Sequence, residues 1–205
     1  ASLIDRKSIS FEYFLILQGT GANGKSVIYR VLKDIFGDEE ILNIRLGQFS
    51  RMGDEQLRAA HSMKGKRMMY CTESSKGDFG DLSILKAISS GEPIASRQIG
   101  GNIEMLQVPP IMLCNSNYRW KIKDFLNKND PEDDSVSCRA LIINFDKTIS
   151  VENRDTLLSQ RLYKERAGIF QWLVRGMKRL RRDKYRISET FDGKMETALA
   201  QLHAN

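Results

Sequence analysis

Phe11-Glu12-Tyr13-Phe14-Leu15-Ile16-Leu17, followed after Gln18 by Gly19-Thr20-Gly21-Ala22-Asn23-Gly24-Lys25-Ser26, decides the fold. The first run has the continuous apolar character of a strand buried on both faces. The second matches G-x-x-x-x-G-K-[ST], and Val27, Ile28, Val31, Leu32 and Ile35 then recur at helical spacing up to Gly37. Strand, glycine-rich turn and amphipathic helix in that order form a phosphate loop. The glycines let backbone N–H groups turn inward without a Cβ in the way. Lys25 is placed to neutralise β- and γ-phosphate oxygens, and Ser26 to hold Mg²⁺ through its hydroxyl. The positive end of the helix adds to the same site. Gly19, Thr20, Gly21, Ala22, Asn23, Gly24, Lys25 and Ser26 are therefore the candidate ATP-binding residues.

Outward from the loop, strands and helices alternate. Strands are predicted over 41–46, 67–72 (ending at Glu73), 111–114 and 139–145, and helices over 54–60 and 82–89. Two alternating arms around Gly100-Gly101 predict a hairpin over 95–106. From Asn153 onward the pattern turns helical, with a last helix over 189–202. The fold class is thus α/β, a parallel sheet flanked by helices, with residues 1–150 as its core and 151–205 as a smaller helical region.

Composition bounds the rest. The 205 residues, 41% hydrophobic and 28% charged, suit an ordinary globular chain that buries a core. Three cysteines without a C-x-x-C pair exclude a disulfide scaffold or zinc ribbon, and Cys71 and Cys114 sit in apolar runs as buried thiols. A reducing, cytoplasmic setting follows, the host cytoplasm if the protein is viral. No apolar stretch approaches the roughly 20 residues that span a bilayer, and no membrane partner is expected. The start without Met predicts a piece of a longer protein.

Of the net charge of +6, the stretch from Lys178 to Arg186 carries +5. It reads either as a phosphate-binding surface or as the solvated end of a helix. The acidic run Asp130 to Asp134 lacks the fixed geometry of a Mg²⁺ site. Asn127-Lys128-Asn129-Asp130, Asp34 to Gly37 and Asp78-Phe79-Gly80 imitate GTPase and kinase motifs without their contexts. His61 and His203 are isolated. Trp120 and Trp172 read as packing residues, with base stacking an alternative for Trp120 between Arg119 and Lys121.

Hydrolysis needs a carboxylate to orient water and manage Mg²⁺. Glu73 ends an apolar strand, where ligands gather in such sheets. Asn115 ends the next one and is the candidate for holding the attacking water or the γ-phosphate, with Asn117 a rival.

Phosphate loop, Glu73, Leu85-Lys86-Ala87-Ile88-Ser89-Ser90-Gly91-Glu92, the Asn115 strand and Cys138-Arg139 before Ala140 to Phe145 follow in one order. That series resembles the superfamily 3 helicase domain of phage, plasmid and poxvirus-type primase–helicases, over about residues 14 to 182. The resemblance implies an AAA+-like phosphate-loop fold and an ATPase that works as a hexameric ring on single-stranded or forked DNA. It implies Glu73 as the motif B acid and a Mg²⁺ ligand beside Ser26, and Asn115 as the polar sensor. Lys86 falls in the motif leading to a DNA-contacting hairpin. Arg139 matches an arginine finger reaching a neighbouring subunit. Lys25, Glu73, Asn115 and Arg139 are then the catalytic set. The hairpin tip, Gln98 to Asn102, lacks the family's Lys or His, which leaves Lys86 and Arg97 as the nucleic-acid candidates. Thr72 stands where the family has an acid, which keeps open a DNA-loading or packaging ring without efficient hydrolysis. A phosphate-loop small-molecule kinase is the other rival, although the 117–137 segment offers only Arg119 to an acceptor.

Overall fold

A computed structural model describes residues 12–49, 53–72, 82–107, 111–119 and 135–182. Five strands, β1 (Phe14–Gln18), β2 (Ile41–Ile44), β3 (Met68–Cys71), β6 (Ile111–Ser116) and β7 (Ala140–Asn144), form one parallel sheet in the order β2-β3-β6-β1-β7. β1 lies between β6 and β7, paired with β6 through Leu15 and Leu113 and with β7 through Phe14 and Ala140. Parallel strands need long crossovers, and helices supply them.

Side-chain alternation sends two sets of residues to opposite faces. On one face Phe14, Ile16, Met69, Cys71, Met112, Cys114 and Ala140 form a single buried cluster. Helices α2 (Asp54–Ser62) and α3 (Leu82–Ser90) cover it with Ala59, Ala60, Leu85 and Ile88. On the other face Leu17, Met68, Tyr70 and Leu113 receive Tyr29 and Leu32 of α1 (Lys25–Phe36). The result is the α/β sandwich that the alternating pattern predicts.

A separate two-stranded antiparallel hairpin, β4 (Pro93–Arg97) and β5 (Ile103–Gln107), lies against α2. Its buried side is Ile94 and Leu106, both in the first cluster. Ion pairs rivet it to that helix region: Arg97 to Asp54, and Glu104 to Lys64 at 2.9 Å, with His61 Nδ1 standing 3.2 Å from the same carboxylate. His61 thus lies beside that tie. Ile99, Ile103 and Met105 stand exposed at and beside the tip.

Helices α4 (Leu158–Lys164) and α5 (Arg166–Arg182) follow β7 and pack on α1, where the rings of Phe36 and Phe170 meet edge to face. The continuous helical pattern from Asn153 conceals a break at Glu165, whose N–H bonds Arg161 and Leu162 carbonyls. Trp172 is not the packing residue expected: it is 62% exposed on α5. Glu73, Asp78-Phe79-Gly80, Trp120, the acidic run and the helix expected over 189–202 lie outside the described residues. No helix among those described is long and apolar enough to cross a membrane.

Candidate functional site

The loop between β1 and α1 sits at the C-terminal edge of the sheet, at the ends of β1 and β6. Such edges collect ligands because the loops and helix N-termini converge there. The turn needs glycine twice over. Gly21 and Gly24 have φ of 104° and 85°, the left-handed region, and Gly24 caps α1. At Gly19 the reason is proximity: a Cβ there would stand 2.3 Å from Asn23 Nδ2 and 2.4 Å from the Phe145 carbonyl oxygen.

Lys25 is folded into the loop it serves. Its ammonium donates to the Gly19 carbonyl at 2.7 Å and to Asn23 Oδ1 at 2.8 Å, and its side chain is buried. Asn23 in turn donates to the Phe145 carbonyl at 3.0 Å. Burial pulls the Lys25 ammonium below its usual range. Neutral oxygens alone hold this buried cation, so its charge has no carboxylate to answer it among the described residues. A buried ammonium held only by neutral oxygens is costly, and an anion brought to the loop would offset that cost. The loop therefore fits a nucleoside triphosphate.

Asn115 belongs to the end of β6, where its amide nitrogen donates to the Tyr70 hydroxyl at 3.0 Å and lies 3.4 Å from Ser26 Oγ. Its Oδ1 is buried with no hydrogen-bond partner. The structure thus brings Ser26 and Asn115 together, with Tyr70 as a third member. Tyr70 lies on β3, its ring stacked on Tyr29 at 3.9 Å and 9°, and burial pushes its phenol pKa up. Sequence reasoning read Tyr70 as one residue of an apolar strand. The available signal was parity: Tyr70 points to the α1 face, one position before the strand end.

Ser26 is exposed at the loop, and Glu73 lies two residues beyond β3, outside the described residues. The described residues contain no cluster of three His, Cys, Asp or Glu that could hold a metal. Mg²⁺ characteristically takes one or two protein ligands and completes its shell with phosphates and water. Ser26 fits that pattern as one ligand.

A further element was not legible. The chain leaving β7 lies against the phosphate loop: Phe145 N–H donates to the Gln18 carbonyl at 2.7 Å and Ile149 N–H to the Ala22 carbonyl at 2.8 Å. Gln18 Nε2 donates to Asn144 Oδ1 at 2.7 Å. Arg119, beyond β6, reaches the same segment through Asp146 at 2.8 Å. Ala22, the one described non-glycine residue with positive φ (48°), is held by this strap.

Arg139 is elsewhere. It closes a short 3₁₀ turn before β7, and the pairing of Phe14 with Ala140 puts it at the opposite end of the sheet from Lys25. Five strand residues at about 3.3 Å each separate the two ends by roughly 16 Å. Its guanidinium is mostly buried, bonded to the Ser135 carbonyl and paired with Glu12, and its Nε has no partner. Arg139 therefore does not serve the Lys25 site of its own chain. Lys86 and Arg97 are on the α2–α3 side, across the sheet from α1. Lys86 points outward from α3, while Arg97 is occupied by Asp54.

A model of a family of unknown function, DUF5906, matches residues 17–137, from the end of β1 past β6. The chain belongs to the DUF5906 family. "Putative primase C962R" of African swine fever virus is 29% identical to this DUF5906 chain over 111 residues, 53% of the chain and 12% of the viral protein. Two apo structures of the NrS-1 C-terminal region superpose with TM-scores of 0.58 and 0.55 at 15% and 18% identity. They cover 82% and 78% of the DUF5906 chain, and 38% and 35% of their own length is matched. At that identity the likeness is one of fold. The DUF5906 chain spans about an eighth of the viral relative and just over a third of the NrS-1 chains.

Proposed function

We propose that this DUF5906 chain is the ATP-hydrolysing core of a superfamily 3-type DNA helicase or translocase. It would belong to a larger viral or plasmid replication protein that acts as a hexameric ring on single-stranded or forked DNA. The observation that carries the reading is the placing of a buried Lys25, held among the described residues by neutral oxygens alone, beside the Ser26–Asn115–Tyr70 group at the ends of adjacent strands. The order of motifs and the likeness to a viral protein named as a primase support it.

In this reading Lys25 and the loop N–H groups hold the triphosphate, and Ser26 ligates Mg²⁺, which neutralises phosphate charge when bound. Glu73 orients the attacking water. Asn115 Oδ1 supplies an unused acceptor for that water. Arg139, too far from Lys25 of its own chain, leaves Glu12 and stabilises developing charge at the site of the next subunit, an effect worth around 10³–10⁵ in rate. The β4–β5 hairpin, tied to α2, carries motion to the DNA backbone.

Mixing Arg139→Ala with Lys25→Ala protein tests the shared site. Each variant alone is expected to lack ATPase activity, and the mixture to recover part of it. Absence of recovery, with both variants shown to assemble, overturns the role across the interface.

A further inference from the structure

Helix α5 carries six cations, Arg166, Arg175, Lys178, Arg179, Arg181 and Arg182, and no acidic residue. It packs inward through Met177, which is buried. At 3.6 residues per turn, Trp172, Arg175 and Arg179 share the face opposite Met177. All three are exposed, and neither Arg175 nor Arg179 enters an ion pair among the described residues. Gly168 and Gly176 lie four residues to either side of Trp172 on that same face, and a Cβ at Gly168 would meet nothing. The indole therefore stands clear between two positions without side chains. Beside it opens a groove of about 350 Å³ lined by Glu165, Gly168, Ile169 and Trp172.

We infer that this face of α5 binds single-stranded nucleic acid, with a base stacked on Trp172 and backbone phosphates on Arg175 and Arg179. Charge complementarity selects the partner: a polyanion answers a helix that carries six cations and no acid within its own span. The exposed indole selects the single strand, because only unpaired bases offer a free π-face to stack. Arg175 and Arg179 are one turn apart, about 6 Å along the helix, comparable to the step between successive phosphates. Glu165 lines the other end of the groove, ten residues before Arg175, so about 15 Å of helix axis separates its charge from the Arg175–Arg179 pair. A membrane does not suit the face, since Trp172 stands on it among glycines and arginines with Ile169 as its apolar neighbour in the groove, too little apolar surface to enter a bilayer. The surface lies outside the hairpin and the phosphate loop. It rests on the reading of a polynucleotide partner but not on ATP turnover.

The test uses the full chain without nucleotide, a fluorescent 20-mer oligothymidylate, its uridylate counterpart, and polyglutamate as competitor. In a Trp120→Phe background the remaining indole, Trp172, reports directly. Oligothymidylate is expected to quench its emission. Trp172→Ala is expected to weaken binding roughly 5- to 150-fold, the range for one stacked base, with Trp172→Phe restoring most of it. Arg175→Ala with Arg179→Ala is expected to lower the slope of log affinity against log salt by about 1.4, close to 0.7 per cation. Equal competition by the two oligonucleotides assigns both DNA and RNA; a preference selects one. Unchanged affinity in both variants, with circular dichroism showing the helix intact, overturns the proposal. So does displacement by polyglutamate as effective as by oligothymidylate, which marks a site for acidic protein. Loss of oligomerisation rather than of oligonucleotide binding in Trp172→Ala overturns it in favour of a subunit contact.

Discussion

The Asn115 amide donates to the Tyr70 hydroxyl at 3.0 Å, tying the end of β6 to the side chain that α1 holds through Tyr29. This bond fixes which way the Asn115 amide points. With Nδ2 engaged by Tyr70 and Ser26, Oδ1 is left as the free acceptor.

Tyr70→Phe removes the hydroxyl that meets Asn115 and Ser26 and keeps the stacked ring. The expected loss is about 1 kcal/mol, or roughly fivefold, in turnover. The KM for ATP should stay within about twofold, because Lys25 and the loop are untouched. Steady-state kinetics of Tyr70→Phe beside Tyr70→Leu, which also removes the stack, check this split.

Lys25 gives a pH dependence with a definite sign. Its pKa in the folded chain is lowered from 10.5 by burial, so the folded state gains stability as pH rises from that lowered value towards 10.5. Bound phosphate favours the ammonium and reverses the effect. ATP binding is expected to take up protons at alkaline pH, and affinity to fall as pH rises through the lowered value. Calorimetry in buffers of different ionisation enthalpy measures the uptake, and Lys25→Met should abolish it.

Gly19→Ala puts a methyl into the Phe145 carbonyl and the Asn23 amide. Backbone cannot give way as a flexible side chain does, and the expected cost is about 1–3 kcal/mol of stability together with loss of nucleotide binding. Thermal unfolding and a fluorescent nucleotide titration report the two effects separately.

The hairpin tie responds to acid. Lys64, then His61, holds the Glu104 carboxyl below its ordinary 4.5, so its stabilising contribution is present above pH 4.5 and fades as pH falls through the lowered value. Limited proteolysis at Gln98 to Asn102 is expected to accelerate in that window. Glu104→Gln should cleave faster at neutral pH and lose the acid step.

The sheet was legible because buried parallel strands leave apolar runs, and strand, glycine turn and helix leave no second reading for residues 14–36. Asn115 was legible as a strand-end polar residue. Tyr70 was not, because a tyrosine inside Met-Met-Tyr-Cys looks like core until the register shows which face it takes. The strap over 144–149 was hidden for another reason: it binds the loop mostly through backbone groups, which no side-chain pattern encodes. Trp172 misled because helical spacing allots it no face until Phe170 and Met177 are known to be the packed side. Arg139 was legible as a position but not as a distance, since only the pairing of β1 with β7 places it beyond reach of its own Lys25.

The motor reading is tested most directly by ATP consumption of the purified full-length protein, with and without single-stranded DNA, against its Lys25→Ala variant. The expected result is turnover that rises when DNA is added and vanishes in the variant. No consumption of ATP under either condition, by protein that binds the nucleotide, would contradict it and leave a passive ring. Phosphate transferred to a small acceptor instead of to water would contradict it in favour of a kinase.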